Sequence, residues 1–312
     1  MELRKSDYET YDYREFWEDN KREYEDYSER IAIRKLFTDF DKKGVVADIG
    51  CGFGRLFNEY NDFDTVIMLD YSVNNLRNSR KSVDAFYSGN DSAHKPENIY
   101  FIAADAENIP LKSGKLDAVI SVRLMHHLNS TRNFTYEVSR VLKQGSLFIL
   151  EFANKKNLKN ILKFILRKTG KSPFSPEPLY IGDTIKNYHP KEILEEIKKS
   201  GLKLNRLISV SNFRASFLKR KIKTRILIKI ENIAQTVFSF LKLGPSIFIK
   251  SFKAGEESTP CPPMSSALSE MIMCPYCRDN ESGLLFTENE VICNKCRRRF
   301  KITDGIYDLR IQ

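Results

Sequence analysis

Long hydrophobic runs are missing from this sequence of 312 residues. No stretch approaches the ~20 uninterrupted apolar residues of a membrane-spanning helix, and the segment from Met1 to Tyr8 lacks the apolar core of a signal peptide. We therefore expect no transmembrane segment and a cytoplasmic location, with peripheral membrane contact left open. Hydrophobic residues at 41% and charged residues at 29% are typical of a globular protein, long enough for one large domain and a small appendage.

Acidic residues are scarce in the middle of the chain. Residues 155–253 carry 23 Lys and Arg against six Asp and Glu, whereas residues 1–154 carry 21 against 26. The overall net charge of +10 therefore hides a basic segment, which would attract a partner that carries phosphates, such as RNA. A solvated, lysine-rich surface is the alternative that charge alone leaves open.

Cysteine occurs six times, and four of the six form two Cys-x-x-Cys pairs near the C-terminus. The pairs are Cys274 with Cys277 and Cys293 with Cys296. Four thiolates at this spacing satisfy tetrahedral Zn²⁺ and leave no coordination position open, so we expect a structural rather than a catalytic metal. A unit of ~40 residues buries too little core to fold alone, and the metal should supply much of its folding free energy.

Strand-like apolar runs alternate with helical patterns along the first two thirds of the chain. This alternation predicts an α/β protein with a Rossmann-like, doubly wound and mostly parallel sheet of seven strands. The predicted strands are Val45–Ile49, Thr65–Leu69, Ile99–Ala103, Leu116–Val122, Ser146–Phe152, Leu202–Val210 and Pro245–Phe252. The predicted helices include Arg55–Tyr60, Ser72–Val83, Asn133–Val141 and Lys191–Ser200.

Composition divides the chain into three parts. Residues 1–253 form the α/β domain, with an amphipathic helical insertion at about 213–243. Residues 254–272, rich in Pro and Ser, are expected to be a flexible linker, and residues 273–312 a zinc ribbon. The apolar side of the insertion could cover an apolar acceptor or contact an anionic membrane, and packing in the core is the simpler interpretation.

A glycine-rich loop follows the first predicted strand. Gly50, Gly52 and Gly54 allow a tight turn and a close approach of the backbone to a ligand. The helix predicted at Arg55–Tyr60 would then point its N-terminus at that ligand. At the end of the second strand, Asp70 stands where a carboxylate can accept the hydroxyls of a ribose. The arrangement predicts a nucleotide-type ligand.

The spacing of the glycines in the loop helps to decide which nucleotide-type ligand binds there. A dinucleotide fingerprint reads Gly-x-Gly-x-x-Gly, whereas this loop reads Asp-x-Gly-x-Gly-x-Gly from Asp48. A carboxylate at that place would repel a pyrophosphate and suits a cationic amino-acid ligand. Two further segments follow in order, Ala104 to Leu111 around Asp105 and Leu116 to Leu128.

With these four ordered motifs the chain resembles the class I S-adenosylmethionine-dependent methyltransferases, and specifically the methyltransferase type 11 group, over roughly residues 10–253. The resemblance implies that Gly50 and Gly52 hold the methionine part of S-adenosyl-L-methionine, Asp70 the ribose and Asp105 the adenine amino group. Taken alone, Asp105 could equally be a helix N-cap. The implied cofactor residues are Asp48, Gly50, Cys51, Gly52, Gly54, Asp70, Tyr71, Ser72, Asp105, Ala106 and Val122.

Methyl transfer by in-line displacement needs no dedicated catalytic residue, because the cofactor carries the reactive group. A base can still deprotonate the acceptor, and His126 and His127 follow the fourth strand where the acceptor should arrive. A packing role for both is the alternative. The segment after the fourth strand lacks the Asn/Asp-Pro-Pro-aromatic run of many adenine and glutamine N-methylases, and no cysteine of the catalytic region stands in a Pro-Cys pair for covalent attack on a pyrimidine.

Residues 297–309 add a second resemblance, to the small zinc-ribbon activator that partners tRNA, rRNA and release-factor methyltransferases. Lys301 and Tyr307 replace prolines of the related bacterial pattern. The likeness implies an activator carried in cis, packed on the main domain. Three hypotheses follow: methylation of RNA or a translation factor, which we favour here; methylation of a small or lipid-like, quinone-type molecule; or a non-catalytic cofactor-binding or scaffold protein.

Overall fold

The computed structural model describes residues 13–17, 22–182, 185–255, 267–281 and 283–311. The strands are β1 (Val45–Ile49), β2 (Thr65–Asp70), β3 (Asn98–Ala103), β4 (Leu116–Ser121), β5 (Leu142–Ala153), β6 (Leu179–Ile181), β7 (Ile185–Asn187), β8 (Leu202–Val210), β9 (Ser246–Lys253), β10 (Leu284–Phe286), β11 (Glu290–Cys293), β12 (Arg299–Thr303) and β13 (Ile306–Asp308). The α-helices are α1 (Glu23–Phe37), α2 (Val73–Ser88), α3 (Thr131–Val141), α4 (Leu158–Ile165), α5 (Pro190–Lys199), α6 (Ser216–Lys221), α7 (Thr224–Val237) and α8 (Leu268–Met271).

Seven strands form the central part of one sheet in the order β3-β2-β1-β4-β5-β9-β8. Strands β1 to β5 run parallel, and β9 runs antiparallel to both β5 and β8. All six residues of β2 are buried, as expected for a parallel strand covered on both faces. The predicted α/β, Rossmann-like fold with a mostly parallel sheet is confirmed.

The two faces of the sheet carry separate apolar cores. Along β2, Ile67 and Leu69 contribute to one core, and Val66 and Met68 contribute to the other. This alternation follows from the two-residue period of a strand. Because β1, β2, β3 and β4 run parallel, their carboxyl ends lie at one edge of the sheet, where the polar residues that follow them meet.

The C-terminal strands extend the sheet to eleven. Strand β13 pairs in parallel with the outer strand β3, with Tyr307 opposite Ile102, and β12, β11 and β10 continue outward in antiparallel order. A seven-stranded sheet beside a separate ribbon was therefore an incomplete prediction. The four-cysteine segment packs on the main domain in the same chain, through backbone hydrogen bonds at the edge of β3.

The helix predicted at Arg55–Tyr60 is wrong. The loop is followed by turns and a short 3-10 helix, Phe57–Glu59. Phe57, Tyr60 and Phe63 are all buried, so this short helix and the turns after it pack their aromatic side chains into the core. Only ten residues separate the loop from β2. No α-helix therefore begins directly after the loop at Arg55.

Two other boundaries differ from the prediction. Within the expected linker 254–272, residues Leu268 to Ile272 form α8 and a strand-like bridge to Leu111, and Met271 and Ile272 are buried. Residues 256–266 lie outside the described part of the chain. Helix α4 and the β6–β7 hairpin lie where no element was predicted, whereas α6 and α7 occupy the predicted insertion at 213–243. In the described residues no helix has the length and apolar character to cross a bilayer.

Candidate functional site

A cavity of about 410 Å³ opens at the carboxyl edge of the central strands. Its wall combines the loop after β1, the end of β2, the turn after β3 and the segment after β4, which are distant in sequence. Most of the predicted cofactor residues line it, namely Asp48, Gly50, Cys51, Gly52, Asp70, Tyr71, Ser72, Asp105, Ala106 and Val122.

The glycines of the loop have different surroundings. Gly50 has φ of +78°, and a Cβ atom placed on it would lie 2.9 Å from the Cβ of Leu124. Gly54, with φ of +75°, does not line the cavity, and a Cβ there would lie 2.6 Å from the Oγ of Ser79 in α2. Gly54 was predicted to bind the cofactor, but its position makes it a packing residue between the loop and α2.

Asp70 holds the loops on either side of the cavity together. One carboxylate oxygen accepts the N–H of Gly52 at 2.9 Å, and the other accepts the N–H of Ser72 at 2.9 Å. The side-chain amide of Asn75 donates to the second oxygen at 3.2 Å. Ser72 is also the N-cap of α2, because its hydroxyl accepts the N–H of Asn75. The carboxylate is thus fixed by the start of a helix while remaining on the cavity wall.

Asp48 is a buried carboxylate with a high proton affinity. Its side chain is 3% exposed, and the hydroxyl of Tyr60 donates a hydrogen bond to it at 2.5 Å. Burial raises the pKa of Asp48 to about 7, and the charge of Asp70 adds to the rise, while Tyr60 and Arg55 act in the opposite direction. A cationic ligand beside this group would lower that pKa. The sequence did not indicate Tyr60.

The mouth of the cavity carries an ion-pair network that the sequence analysis missed. Arg55 and Arg123 both line the cavity, and both bind the carboxylate of Glu29 in α1, Arg123 through its Nε at 2.9 Å. Despite burial, which opposes ionisation, these two charges hold the pKa of Glu29 below its usual value. The ring of Trp17 lies under both guanidinium groups, 4.0 Å from Arg55 and 4.9 Å from Arg123.

Arg123 also has an unusual backbone. Its φ is +61°, a left-handed conformation that costs energy in any residue other than glycine. Its N–H donates to the carboxylate of Glu151 at 2.8 Å, in the buried interior of β5. The conformation aims the guanidinium group at the mouth. In the sequence, the only indication of a role for Arg123 was that a single basic residue closely follows the apolar strand β4.

The two adjacent histidines occupy different environments. His127 lines the cavity, whereas His126 does not. Burial, followed by the charges of His127 and Arg123, holds the pKa of His126 well below its usual value, so its ring is neutral. Its Nδ1 has no hydrogen-bond partner among the described residues. Of the two candidates, only His127 is placed to contact a molecule in the cavity.

The opposite rim is contacted by the C-terminal segment. The carboxylate of Asp105 accepts the N–H of Glu107 at 2.9 Å and so stabilises the turn that follows β3. Arg310 donates to the backbone oxygen of Tyr71 at 3.3 Å, with its guanidinium 5.6 Å from the ring centre. In addition, the N–H of Met273 donates to the carbonyl of Pro110 at 3.0 Å. The C-terminal segment therefore contacts the cavity wall at Tyr71 and the chain that follows the Asp105 turn at Pro110.

The four predicted metal-ligating cysteines come together in this segment. Their sulfur atoms all lie within 4.8 Å of one another. Cys274 and Cys296 are 3.7 Å apart, as are Cys277 and Cys293, which is too far for a disulfide bond and suited to thiolates around a single ion. Arg278 fastens the segment to the main domain through Glu137 at 2.5 Å.

Comparison with known proteins supports the assignment of the central domain. Residues 47–150 match the family model described as a methyltransferase domain. An uncharacterized chloroplastic methyltransferase of Arabidopsis thaliana, At2g41040, is 33% identical over 109 residues, or 34% of this chain and 30% of that protein. The ubiquinone/menaquinone biosynthesis C-methyltransferase UbiE of Campylobacter jejuni is 26% identical over 187 residues, or 55% of this chain and 77% of that protein.

The similarity to the curated relatives covers only part of their length. The chain spans 30% and 39% of the length of the first two curated relatives that it matches. Among solved structures, a chain from the complex between the Haloferax volcanii Trm112 methyltransferase activator and a methyltransferase has a TM-score of 0.51 at 16% identity, covering 79% of this chain and 98% of that chain. At this identity the similarity establishes the fold alone. The predicted resemblance to methyltransferases is confirmed for the central domain.

Proposed function

We propose that this chain is an S-adenosylmethionine-dependent methyltransferase whose cofactor binds in the cavity at the carboxyl edge of the sheet. The observation that carries the proposal is the convergence of Asp48 to Gly52, Asp70 to Ser72 and Asp105 to Ala106 on one cavity. These segments come from three different strand ends. A shared wall is what a single ligand with amino-acid, ribose and base parts requires.

The residues present fit this cofactor. The clash between a Cβ on Gly50 and Leu124 indicates a loop that needs the smallest residue beside the cavity. Asp48 has a raised pKa because its burial is not balanced by enough positive charge, and a cationic ligand would supply that balance. Backbone groups of Gly50 and Gly52 would hold the methionine part, Asp70 the ribose, and Asp105 with Ala106 the adenine. Val122 adds apolar contact.

When bound, the cofactor supplies a methyl group activated by its attachment to a cationic sulfur. The contribution of this chain is to hold the acceptor in line with that group and to exclude water. His127 lies on the wall and can accept a proton from an acceptor hydroxyl or amine. Arg55 and Arg123 line the cavity and are held in place by Glu29, which fixes this part of the wall against the bound molecules.

The acceptor has two candidate classes. A lipid-like or quinone-type molecule is supported by the similarity to UbiE and by exposed apolar side chains in residues 158–166 and 226–241. RNA or a translation factor, the class that the sequence favoured, is supported by the excess of basic residues in 155–253 and by the cysteine pairs. We place the lipid-like class first because exposed aliphatic groups add nothing to phosphate binding. We also propose that the four cysteines hold a structural Zn²⁺ ion.

Cofactor binding by calorimetry, with S-adenosylhomocysteine as the probe, tests the site. Asp70→Ala should weaken binding at least tenfold, because the variant loses the ribose acceptor and releases the N–H groups of Gly52 and Ser72. Asp84→Ala, an exposed carboxylate on the same α2 helix, is the matched control and should bind normally. Equal binding by both variants would remove the site assignment.

Methyl-labelled cofactor incubated with total lipid, RNA and protein extracts then tests the acceptor. Label in the lipid fraction supports the first class, and label in RNA or protein supports the second. Normal cofactor binding with no label in any fraction would favour a non-catalytic cofactor-binding or scaffold protein.

A further inference from the structure

The outer face of α7 is apolar although it faces solvent. Four aliphatic side chains spaced by four, three and four residues fall on one side of the helix, with 40% to 63% of their surface exposed. These residues are Ile226, Ile230, Ile233 and Val237. The side of α7 that faces the protein is more polar and is buried, with Leu227, Glu231, Ala234 and Gln235. This is the reverse of an ordinary surface helix, which hides its apolar stripe in the core.

The apolar surface continues beyond α7. Phe238 and Leu241 are about half exposed, and Phe240 is 74% exposed, the highest value among the large hydrophobic side chains that the structure describes. The N–H of Leu158, the first residue of α4, donates to the carbonyl of Leu243 at 2.9 Å, so α4 begins beside this segment. No residue of α4 is buried.

Helix α4, like α7, exposes a row of aliphatic side chains to solvent. Leu158, Leu162, Ile165 and the following Leu166 are 48% to 65% exposed. We call the exposed hydrophobic residues of 158–166 and 226–241, together with the exposed basic residues among them and directly next to them, the apolar basic face. Its exposed basic residues are Lys159, Lys163, Arg167, Arg225 and Lys229.

Negative charge is almost excluded from this face. From residue 197 to residue 255 the chain has a single acidic residue, Glu231, and from residue 152 to residue 176 it has none. Glu231 is fully buried and accepts the hydroxyl of Tyr24 at 2.7 Å and the N–H of Ser211 at 2.7 Å. Its carboxylate therefore serves the packing of α7 against α1 and does not neutralise the surface.

An anionic lipid bilayer is the partner whose chemistry matches both properties. Insertion at the boundary of headgroups and acyl chains removes Ile, Leu and Phe side chains from water, while Lys and Arg contact the lipid phosphates. RNA would use the basic residues and could stack bases on Phe238 and Phe240, but it would leave the aliphatic side chains of both helices in water. A second copy of this chain would bring two basic surfaces together, which repel each other.

We propose that the apolar basic face binds the surface of an anionic lipid bilayer. Helix α4 follows the carboxyl end of β5, which runs parallel to β4 and ends at the edge of the sheet where the cavity opens. The docked face and the cavity mouth therefore share one end of the molecule. The proposal is independent of the methyltransferase activity and holds whichever acceptor is used.

Cosedimentation of the full chain with vesicles tests the proposal. We expect binding to vesicles of equal parts phosphatidylcholine and phosphatidylglycerol, and at least tenfold weaker binding to phosphatidylcholine alone. High salt should weaken the first interaction without abolishing it, because the apolar contribution is not screened. Equal binding to both kinds of vesicle, or to neither, would overturn the proposal.

Substitutions on the face identify the contact. The double variant Ile233→Glu with Phe240→Glu should lose at least tenfold in vesicle binding, because charge replaces two of the most exposed apolar residues. Leu285→Glu is the matched control, since Leu285 is 54% exposed on β10 in the C-terminal segment, and it should bind as the unmodified chain does. All replaced side chains are exposed, and thermal unfolding verifies that each variant is folded.

Two further measurements test whether RNA or a second copy of this chain binds the apolar basic face instead. A fluorescent single-stranded RNA that binds more tightly than the vesicles, and is lost in the double variant, would assign the face to RNA. Light scattering of the chain in solution that gives a dimer mass, converted to a monomer by the double variant, would assign it to self-association. Either result would overturn the bilayer proposal. A monomer that binds vesicles in preference to RNA supports it.

Discussion

Arg123 and Glu29 form an ion pair at the mouth of the cavity, with the Nε of Arg123 2.9 Å from the carboxylate. The pair joins the segment after β4 to α1, two parts of the chain that are far apart in sequence. Arg123 makes this contact from a left-handed backbone conformation. The cavity wall at Arg123 is thus tied to α1.

Replacement of Glu29 by Gln should destabilise the protein by about 3 kcal/mol, because Arg55 and Arg123 lose the carboxylate that they share in a buried setting. Chemical denaturation measures this change. Glu288→Gln, at an exposed position, is the control and should change stability by less than about 0.5 kcal/mol. A Glu29 variant as stable as the control would mean that the network does not hold α1 to the mouth.

Asp48 should make stability depend on pH in a defined window. Its folded pKa of about 7 lies above its ordinary value of 3.8, so between these values the folded chain holds a proton that the unfolded chain has lost. The free energy of unfolding contributed by this group is therefore full below about pH 4 and falls as the pH rises to about 7.

Asp48→Asn removes this titration and still accepts the hydrogen bond of Tyr60. At neutral pH and without ligand, the free energy of unfolding of the variant should exceed that of the unmodified chain by on the order of 1 to 3 kcal/mol. The variant should therefore also unfold at a higher temperature. The difference should shrink toward acidic pH. Asp84→Asn serves as the exposed control, and identical pH profiles for all three chains would refute the burial of an ionisable Asp48.

Gly50→Ala should reduce cofactor affinity at least tenfold, because the new Cβ would approach the Cβ of Leu124 at 2.9 Å and displace the loop. Gly114→Ala is a close control. Gly114 also has a positive φ, of +65°, but no atom lies within 4 Å of an added Cβ, so it introduces backbone strain without a clash. Calorimetric titration of S-adenosylhomocysteine against both variants measures the difference, and comparable affinities would exclude close packing as the reason for Gly50.

Loss of the proposed zinc ion should weaken cofactor binding as well as the C-terminal segment. The segment contacts the cavity residue Tyr71 through Arg310, and it binds Pro110, a few residues after the cavity residue Asp105, through Met273. We expect Cys293→Ser to lower the metal content below one ion per chain, to lower Tm, and to raise the cofactor Kd several-fold. Elemental analysis and calorimetry measure these effects, with Cys261→Ser, outside the two pairs, as control. Unchanged cofactor affinity in a metal-free, folded variant would show that the C-terminal segment does not support cofactor binding.

The sequence was sufficient for features that depend on local pattern. The strand Val45–Ile49, the loop glycines and Asp70 were predicted because a short apolar run and the turn chemistry after it are readable within a few residues. The helix predicted at Arg55–Tyr60 failed because the packing of Phe57 and Tyr60 in the core overrides local propensity.

Other features depend on contacts between distant segments. The pairing of β13 with β3, the shared carboxylate of Glu29 and the cavity position of Arg123 join residues that lie far apart in sequence. No periodicity within one segment can indicate which edge strand a distant strand will join, or which carboxylate a basic residue will bind. Helix α4 was missed because its apolar residues are not buried, and amphipathicity without a core partner is a weak signal.

The parallel pairing of β13 with β3 also has a consequence for assembly. A partner supplied as a separate polypeptide dissociates on dilution, whereas a tethered strand meets its site at an effective concentration that dilution does not change. The edge of β3 is occupied by the same chain, so its free N–H and C=O groups are not offered to other molecules. Removal of the residues after 253 would expose that edge, and the shortened protein should aggregate through intermolecular strand pairing.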